Sequence, residues 1–343
     1  MSTVLVTGAA GFIGSNFVRL LRRQRADVNV VALDALTYAG NLANLADCCD
    51  GPHYRFVRAD ICDSKAIEPV FAAGVDWVVN FAAESHVDRS IHGARAFVQT
   101  NVGGVQVLLD LAREHDVKRF VQVSTDEVYG SLGATGSFSE STPIAPNSPY
   151  SASKASADLL VQSYFHTFGL ATIITRCSNN YGSHQFPEKL IPLFVTNLVE
   201  GRKVPLYGDG LNVRDWIHVD DHCEAILAVL DGAAPGSVYN IGGNCELRNI
   251  EIARRILSHL GHDESMIEYV KDRPGHDRRY AMDIRRIGDE LGWRPRIGFD
   301  RGIVETIDWY VNNEAWWRSI KTGDYLKYYE KQYGAGGVVG SDP

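Results

Sequence analysis

Basic residues are in the minority in this 343-residue sequence: 34 Lys and Arg stand against 42 Asp and Glu, for a formal net charge of -8. Such a balance gives no general attraction for nucleic acid or an anionic membrane, although it leaves room for a local basic pocket that takes a phosphorylated small molecule. Long apolar runs are missing too. No stretch approaches the roughly 20 apolar residues of a spanning helix, and the start MSTVLVTGAAGFIG has neither the basic segment nor the apolar core of a secretory signal. These absences predict a soluble, cytoplasmic protein without a nucleic-acid or membrane partner. Cysteine is sparse, and Cys48, Cys49, Cys62, Cys177, Cys223 and Cys245 form no CxxC and no metal-ligand spacing. Reduced thiols, no disulfide and no metal are expected.

What the sequence does have is enough apolar material, 45%, to bury a large core. Short β-branched runs recur: VLVT from Val4, VNVVALD from Val28, YRFVRAD from Tyr54, WVVNFAA from Trp77, RFVQVST from Arg119 and ATIITRC from Ala171. Helical windows separate them. Strands of this composition alternating with helices predict an α/β fold, a Rossmann-type doubly wound parallel sheet over residues 1–180. After residue 180 Pro and Gly punctuate shorter segments, with helical patterns near 221–231 and 249–260. A smaller C-terminal α/β substrate domain is expected over 181–330. VYNIGG from Val238 reads as a strand returning to the main sheet, and the tail 334–343 as flexible.

Directly after the first strand comes TGAAGFIGSNF, with Gly8, Gly11 and Gly14 in a GxxGxxG spacing that opens a helix. Glycines permit the tight turn and let backbone amides and the helix's positive end approach a pyrophosphate. A glycine triplet alone says little; the strand-turn-helix context gives it weight. Asp34 ends the second strand, where a carboxylate suits a ribose diol and repels a 2'-phosphate, so NAD is favoured over NADP. Asp60, at the end of the third strand, is placed either to meet the adenine or to cap the next helix.

Tyr150 and Lys154 in SPYSASKAS form a YxxxK pair on one helix face. A phenol becomes a base near neutrality only if positive charge stabilises the phenolate, and Lys154 and an oxidised nicotinamide would both supply it. Upstream, STDEVYG places Asp126 and Glu127 side by side at the end of a buried strand. Unpaired charge there is expensive, so the pair needs a reason. A solvated loop or a helix cap is one; acid-base chemistry is the other.

Together these residues resemble the extended short-chain dehydrogenase/reductase superfamily, and STDEVYG resembles its nucleotide-sugar 4,6-dehydratase branch. Further stretches carry the likeness: DALTYAGNLANL, AAESHVDRSI, CSNNYG, FPEKLIPL, GDGLNVRDW and RPGHDRRYAMD. The resemblance implies a dTDP-hexose substrate and a tightly held NAD. It implies that Thr125 polarises the 4-hydroxyl, Asp126 is the acid toward the C6 oxygen, Glu127 the base at C5, Tyr150 the base at the C4 hydroxyl, and Lys154 its tuner. By the same likeness Phe12, Ile13, Ile61, Ala82, Ala83, Thr100, Ser124 and Asn179 join the cofactor set. Ser85, Asn180, Glu188, Lys189, Leu190, Pro205, Tyr207, Arg214, Asn249, Arg273, His276 and Tyr280 join the substrate set, the two arginines as a pyrophosphate clamp. A homodimer built on the helices near 95–114 and after Tyr150 is likewise implied. The nucleotide base, an epimerase on the same fold and a cofactor-sensing regulator stand as alternatives.

Overall fold

The computed structural model describes residues 1–333; the expected tail, 334–343, lies outside the described residues. Twelve strands appear in chain order: β1 Ser2–Thr7, β2 Val28–Asp34, β3 Tyr54–Arg58, β4 Trp77–Asn80, β5 Arg119–Thr125 and β6 Thr172–Cys177 come first. They are followed by β7 Asn179–Tyr181, β8 Val204–Tyr207, β9 Val213–His218, β10 Val238–Ile241, β11 Glu246–Arg248 and β12 Ile267–Val270. Seven of them form one sheet in the order β10-β6-β5-β4-β1-β2-β3. Every pairing within it is parallel.

The strands are apolar at nearly every position because both faces are covered. Val4, Val6, Val30, Ala32, Val79, Val121 and Ile173 pack into the core on one side. Their neighbours Leu5, Val31, Leu33, Val78, Phe120 and Ile174 pack into the core on the other. That is the two-residue alternation of a pleated strand, and each such side chain contributes about 1.5–3 kcal/mol on leaving water. Polar residues inside the sheet are paired across strands. Thr7 donates to Asn80 (2.5 Å), and Asn80 Nδ2 donates to Gln122 (2.8 Å).

The strand order reverses between β1 and β4, which leaves a crevice at their carboxyl ends, where ligands bind in open α/β sheets. A second lobe faces that crevice. It holds the sheet β11-β9-β7 and the pair β12-β8 around Ile191, Phe194, Leu206, Trp216, Ile252 and Ile256. A single residue, Ser178, separates β6 of the large sheet from β7 of the small one, so Asn179 and Asn180 sit at the junction of the lobes. The segment Val238–Ile241 lies beside β6 at the edge of the main sheet.

Candidate active site

The cofactor half of the crevice is shaped by what its glycines lack. Gly8 has a φ of +64°, and a Cβ there would fall 2.7 Å from the Ala82 amide nitrogen. One on Gly14 would fall 2.2 Å from the Gly8 carbonyl oxygen. Gly11 precedes the helix Phe12–Gln24 and offers no side-chain cap, so the first-turn amides stay open toward the crevice. Asp34, buried at the end of β2, accepts from the amides of Ala10 (2.9 Å) and Leu36 (2.7 Å). Burial pushes its carboxyl up, and those two amides oppose the shift. Each oxygen keeps a lone pair for a further donor. Asp60 does not cap the next helix. Asp63 does, accepting from Ala66 (3.1 Å), while Asp60 accepts from Cys62 (2.9 Å).

All the residues expected at the cofactor line this one crevice: Gly8, Gly11, Phe12, Ile13, Gly14, Asp34, Asp60, Ile61, Ala82, Ala83, Thr100, Ser124, Tyr150, Lys154 and Asn179. Ser85, Thr125, Asp126, Glu127, Asn180, Glu188 and Lys189 line it as well. A second pocket, sharing Glu127, Asn179, Glu188 and Lys189 with the first, gathers Leu190, Pro205, Tyr207, Arg214, Asn249, Arg273 and His276. Tyr280 lines neither. It stands behind Arg214, whose guanidinium lies 4.3 Å from its ring, and donates to Asp277 (2.5 Å).

The acid pair points inward. Thr125 caps a short turn, Asp126–Tyr129, by accepting from the Glu127 amide (3.2 Å), and donates to Asp126 Oδ1 (3.1 Å). Asp126 is 2% exposed, and its Oδ2 has no partner among the described residues. Burial and then the neighbouring Glu127 push the Asp126 carboxyl well above the usual carboxylate range. Burial also raises Glu127, but Arg273, Arg214 and Lys189 all pull it back toward the ionised form. Two adjacent carboxyls thus occupy different electrostatic environments.

Tyr150 is placed by a helix start. Ser148 and Ser151 form a reciprocal cap, Pro149 fills the first helical position, and the helix Pro149–Phe168 ends on Gly169 in the left-handed region. Burial first, then Glu127, Cys177 and Asp126, raise the Tyr150 phenol well above its ordinary value, against a hydrogen bond with Thr125. Lys154 lies one turn on, with its Nζ donating to the Val123 carbonyl of β5 (2.7 Å). Burial lowers its pKa, and Asp158 opposes that shift. Asn101, in a π-helical turn at Gln99–Gly104, donates to Ser153 (2.9 Å) and exchanges bonds with Glu84 (2.9 and 3.0 Å), tying the loop that bears Ser85 to the Tyr150 helix.

Arg214 is 5% exposed, yet its bonds run only to the carbonyls of Val213 (2.7 Å) and Asp277 (2.8 Å). Among the described residues it forms no ion pair. A buried cation that acts on Glu127 only at a distance and has no carboxylate in contact suits an incoming anion. Arg273 pairs with Asp88 (2.9 Å) and keeps its Nε unpartnered. Asp88 is buried, and the Arg273 guanidinium outweighs that burial and holds it down to about 2. Lys189 donates to the Ser85 carbonyl (2.9 Å), while Asn180 Oδ1 accepts from His222 Nδ1 (2.8 Å). Glu188 receives both Nε and an NH2 of Arg89 (3.0 and 2.9 Å). Burial, then Arg273 and Arg214, push the His276 imidazole down to about 4, and it bonds Asp272 (2.6 Å). No group of three or more metal-ligating side chains occurs among the described residues. Sequence reasoning did not single out Asp88 and Arg89, although both lie in the quoted AAESHVDRSI, nor Trp216 at the end of GDGLNVRDW, and Tyr333 lies outside every quoted stretch.

Comparison with known proteins agrees with this geometry. Residues 5–306 match the family model described as GDP-mannose 4,6 dehydratase. A dTDP-glucose 4,6-dehydratase of Streptomyces niveus is 53% identical over 325 residues, 94% of this chain and 96% of the relative. Another of that name, from Streptomyces antibioticus, is 56% identical over 323 residues, 93% of this chain and 95% of the relative. A crystal structure of the Streptomyces venezuelae dTDP-glucose 4,6-dehydratase with NAD bound superposes with a TM-score of 0.91 at 53% identity, covering 93% of this chain and 100% of that one. The chain therefore belongs to the nucleotide-sugar 4,6-dehydratases, within the dTDP-glucose 4,6-dehydratase family.

Proposed function

We propose that the protein converts dTDP-glucose to dTDP-4-keto-6-deoxy-glucose in a redox-neutral cycle at the crevice between the lobes. The glycine turn, the open amides of the Phe12–Gln24 helix and Asp34 fit NAD: Gly8 packs against the Ala82 backbone and Gly14 against the Gly8 carbonyl more closely than a side chain would allow, which sets the helix start at the crevice. NAD, when bound, accepts a hydride from C4 and returns it to C6. The residues supply the rest. Tyr150 takes the proton of the C4 hydroxyl, with Thr125 holding that oxygen. The resulting ketone acidifies the C5–H bond, and Glu127 removes that proton. Asp126 gives its proton to the C6 oxygen, which leaves as water. Reduction at C6 is matched by a proton returned to C5 from Glu127, and release of the Tyr150 proton with uptake of one by Asp126 resets the site, so the product differs from the substrate by one water.

The observation that carries this reading is the division of the acid pair. Asp126, raised by burial and by Glu127, is kept in the protonated state that a general acid needs. Glu127, facing Arg273, Arg214 and Lys189, is drawn toward the ionised state that a base needs. An epimerase has no use for either group. Arg214 and Arg273 are assigned to the pyrophosphate, Pro205 and Tyr207 to the base, and Ser85, Asn180, Glu188, Lys189, Leu190, Asn249 and His276 to the remaining contacts with the substrate. The fifteen crevice residues named above, Lys154 among them, hold the cofactor. Residues 1–180, with the strand Val238–Ile241 that joins their sheet, are then the cofactor domain, and the rest of 181–330 is the substrate domain across an interleaved boundary. A cytoplasmic location follows from that reading, since NAD and activated sugars are metabolites of the cytoplasm; no described helix is long and apolar enough to cross a membrane.

Substrate deuterated at C4 tests the cycle. The product should lack one water and carry deuterium at C6, with no requirement for added metal. Unlabelled product, or the C4 epimer, would reject the mechanism.

A further inference from the structure

The second pocket has a wall that comes from the far end of the chain. The helix Asp324–Tyr333 delivers Tyr333 to the same pocket as Tyr207, Asn249, Arg214, Arg273 and His276. The hydroxyl of Tyr207 is fully engaged there. It donates to Asp88 (2.9 Å), accepts from Gln332 Nε2 (2.9 Å) and lies 3.2 Å from the Tyr333 hydroxyl. A phenol has one donor and two acceptor positions, so Tyr207 has no polar capacity left for a ligand. What it offers is its ring, held with the Tyr333 ring at 6.0 Å and 39°. Gln332 is 3% exposed and also meets His92 (3.1 Å), which pins the helix end in place.

Contacts link the guanidinium to the rings. Arg273 pairs with Asp88 (2.9 Å), and Asp88 accepts from the Tyr207 hydroxyl, which adjoins Tyr333. Glu127, the carboxylate assigned to the sugar, lines the same pocket and acts on Arg273 through its charge. Three buried polar atoms in this region, Trp216 Nε1, Asn249 Oδ1 and Arg273 Nε, have no partner among the described residues. Their chemistry, two donors and an acceptor, suits a ligand bearing phosphate and amide-like groups. A nucleoside diphosphate lying with its sugar at Glu127 and its phosphates at the arginines would set its base against the two tyrosine rings.

We propose that Tyr333 closes the base end of this pocket and limits it to a pyrimidine, so that the C-terminal helix is a specificity element of the substrate site. This rests on the nucleotide-sugar reading above. The test uses the full-length, NAD-loaded protein, with dTDP and GDP as calorimetric ligands and dTDP-glucose for turnover. Tyr333→Ala should weaken dTDP about tenfold and shift the GDP-to-dTDP affinity ratio about tenfold toward GDP, with NAD content retained. Tyr333→Phe, which keeps the ring, should retain wild-type selectivity. Tyr333→Leu should reproduce the loss of selectivity and serves where the alanine variant loses bound NAD. An unchanged affinity ratio in Tyr333→Ala and Tyr333→Leu, or tighter binding of dTDP, overturns the proposal. Wild-type protein that binds no dTDP would instead remove the nucleotide-sugar reading itself.

Discussion

Asp126 and Glu127 are neighbours in sequence, yet the fold gives them different surroundings. Burial raises both carboxyls; Asp126 turns onto Thr125, while at Glu127 the cations Arg273, Arg214 and Lys189 oppose the shift. Like charges in one site separate their titrations, and those cations favour ionisation of Glu127 first. On the mechanism proposed above, the resting proton belongs on Asp126. A direct consequence concerns Glu127→Gln. In that proposed mechanism oxidation at C4 depends on Tyr150 and Thr125, so mixing the variant with substrate should still reduce bound NAD, seen as the near-ultraviolet absorbance of the reduced nicotinamide. Elimination should then stall, with turnover lowered by about 10²–10⁴-fold, the usual contribution of a positioned acid or base. Normal turnover in this variant would take Glu127 out of the reaction. Tyr150 follows similar logic: its neighbours Asp126 and Glu127 disfavour the phenolate, while the Lys154 ammonium, which uses one of its three donors on the Val123 carbonyl, supplies positive charge one turn away. Under the same proposal, an oxidised nicotinamide would add to it.

At the scale of elements, the site depends on where helices begin. The Phe12–Gln24 helix starts against Gly8, and the Tyr150 helix starts at the Ser148–Pro149 cap. Both starts could be seen in the sequence, because glycine spacing, a serine cap and a proline act locally. The strands could be seen for the same kind of reason, since burial on both faces leaves a continuous Val/Ile signal. Other features depend on residues far apart. Tyr207 meets Tyr333 across 126 positions, and Arg273 meets Asp88 across 185. No local pattern marks such partners. Tyr280 shows the converse: its motif points to the substrate, while its ring lies under Arg214. The π-helical turn that aims Asn101 has no compositional mark either. Gly14 gives the sharpest test at this scale. A methyl group 2.2 Å from the Gly8 carbonyl must displace backbone. Gly14→Ala should therefore lose about 1–3 kcal/mol of stability, as overpacked sites do. Its NAD affinity should fall at least about tenfold. Thermal melting and the NAD content of the purified protein measure the two effects, and a variant with wild-type values of both would dissociate the turn from the cofactor.

For the molecule as a whole, two helical segments on the outside of the main sheet leave an unusual surface. The Pro149–Phe168 helix packs Tyr150, Lys154, Asp158 and Val161 inward and presents Ala152, Ser156, Leu159 and Ser163 outward. Ser156 and Ser163 turn their hydroxyls onto the carbonyls of Ala152 (2.9 Å) and Leu160 (2.7 Å), which leaves that face short of polar groups. Leu159 is 56% exposed on it, and Val98, on the segment before Val105–Glu114, is 55% exposed. Small residues allow close helix approach, and a second copy of the same pair of helices would complete a four-helix bundle. We propose this face as the homodimer interface. The same helix carries Tyr150, so assembly and catalysis share one element. Sedimentation equilibrium should give twice the 37.9 kDa chain mass for the wild type. Leu159→Lys should shift the equilibrium to monomer, because a buried, unpaired ammonium at the bundle core costs several kcal/mol. If the variant stays dimeric, the interface lies on another face; if the wild type is monomeric at micromolar concentration, the bundle does not form.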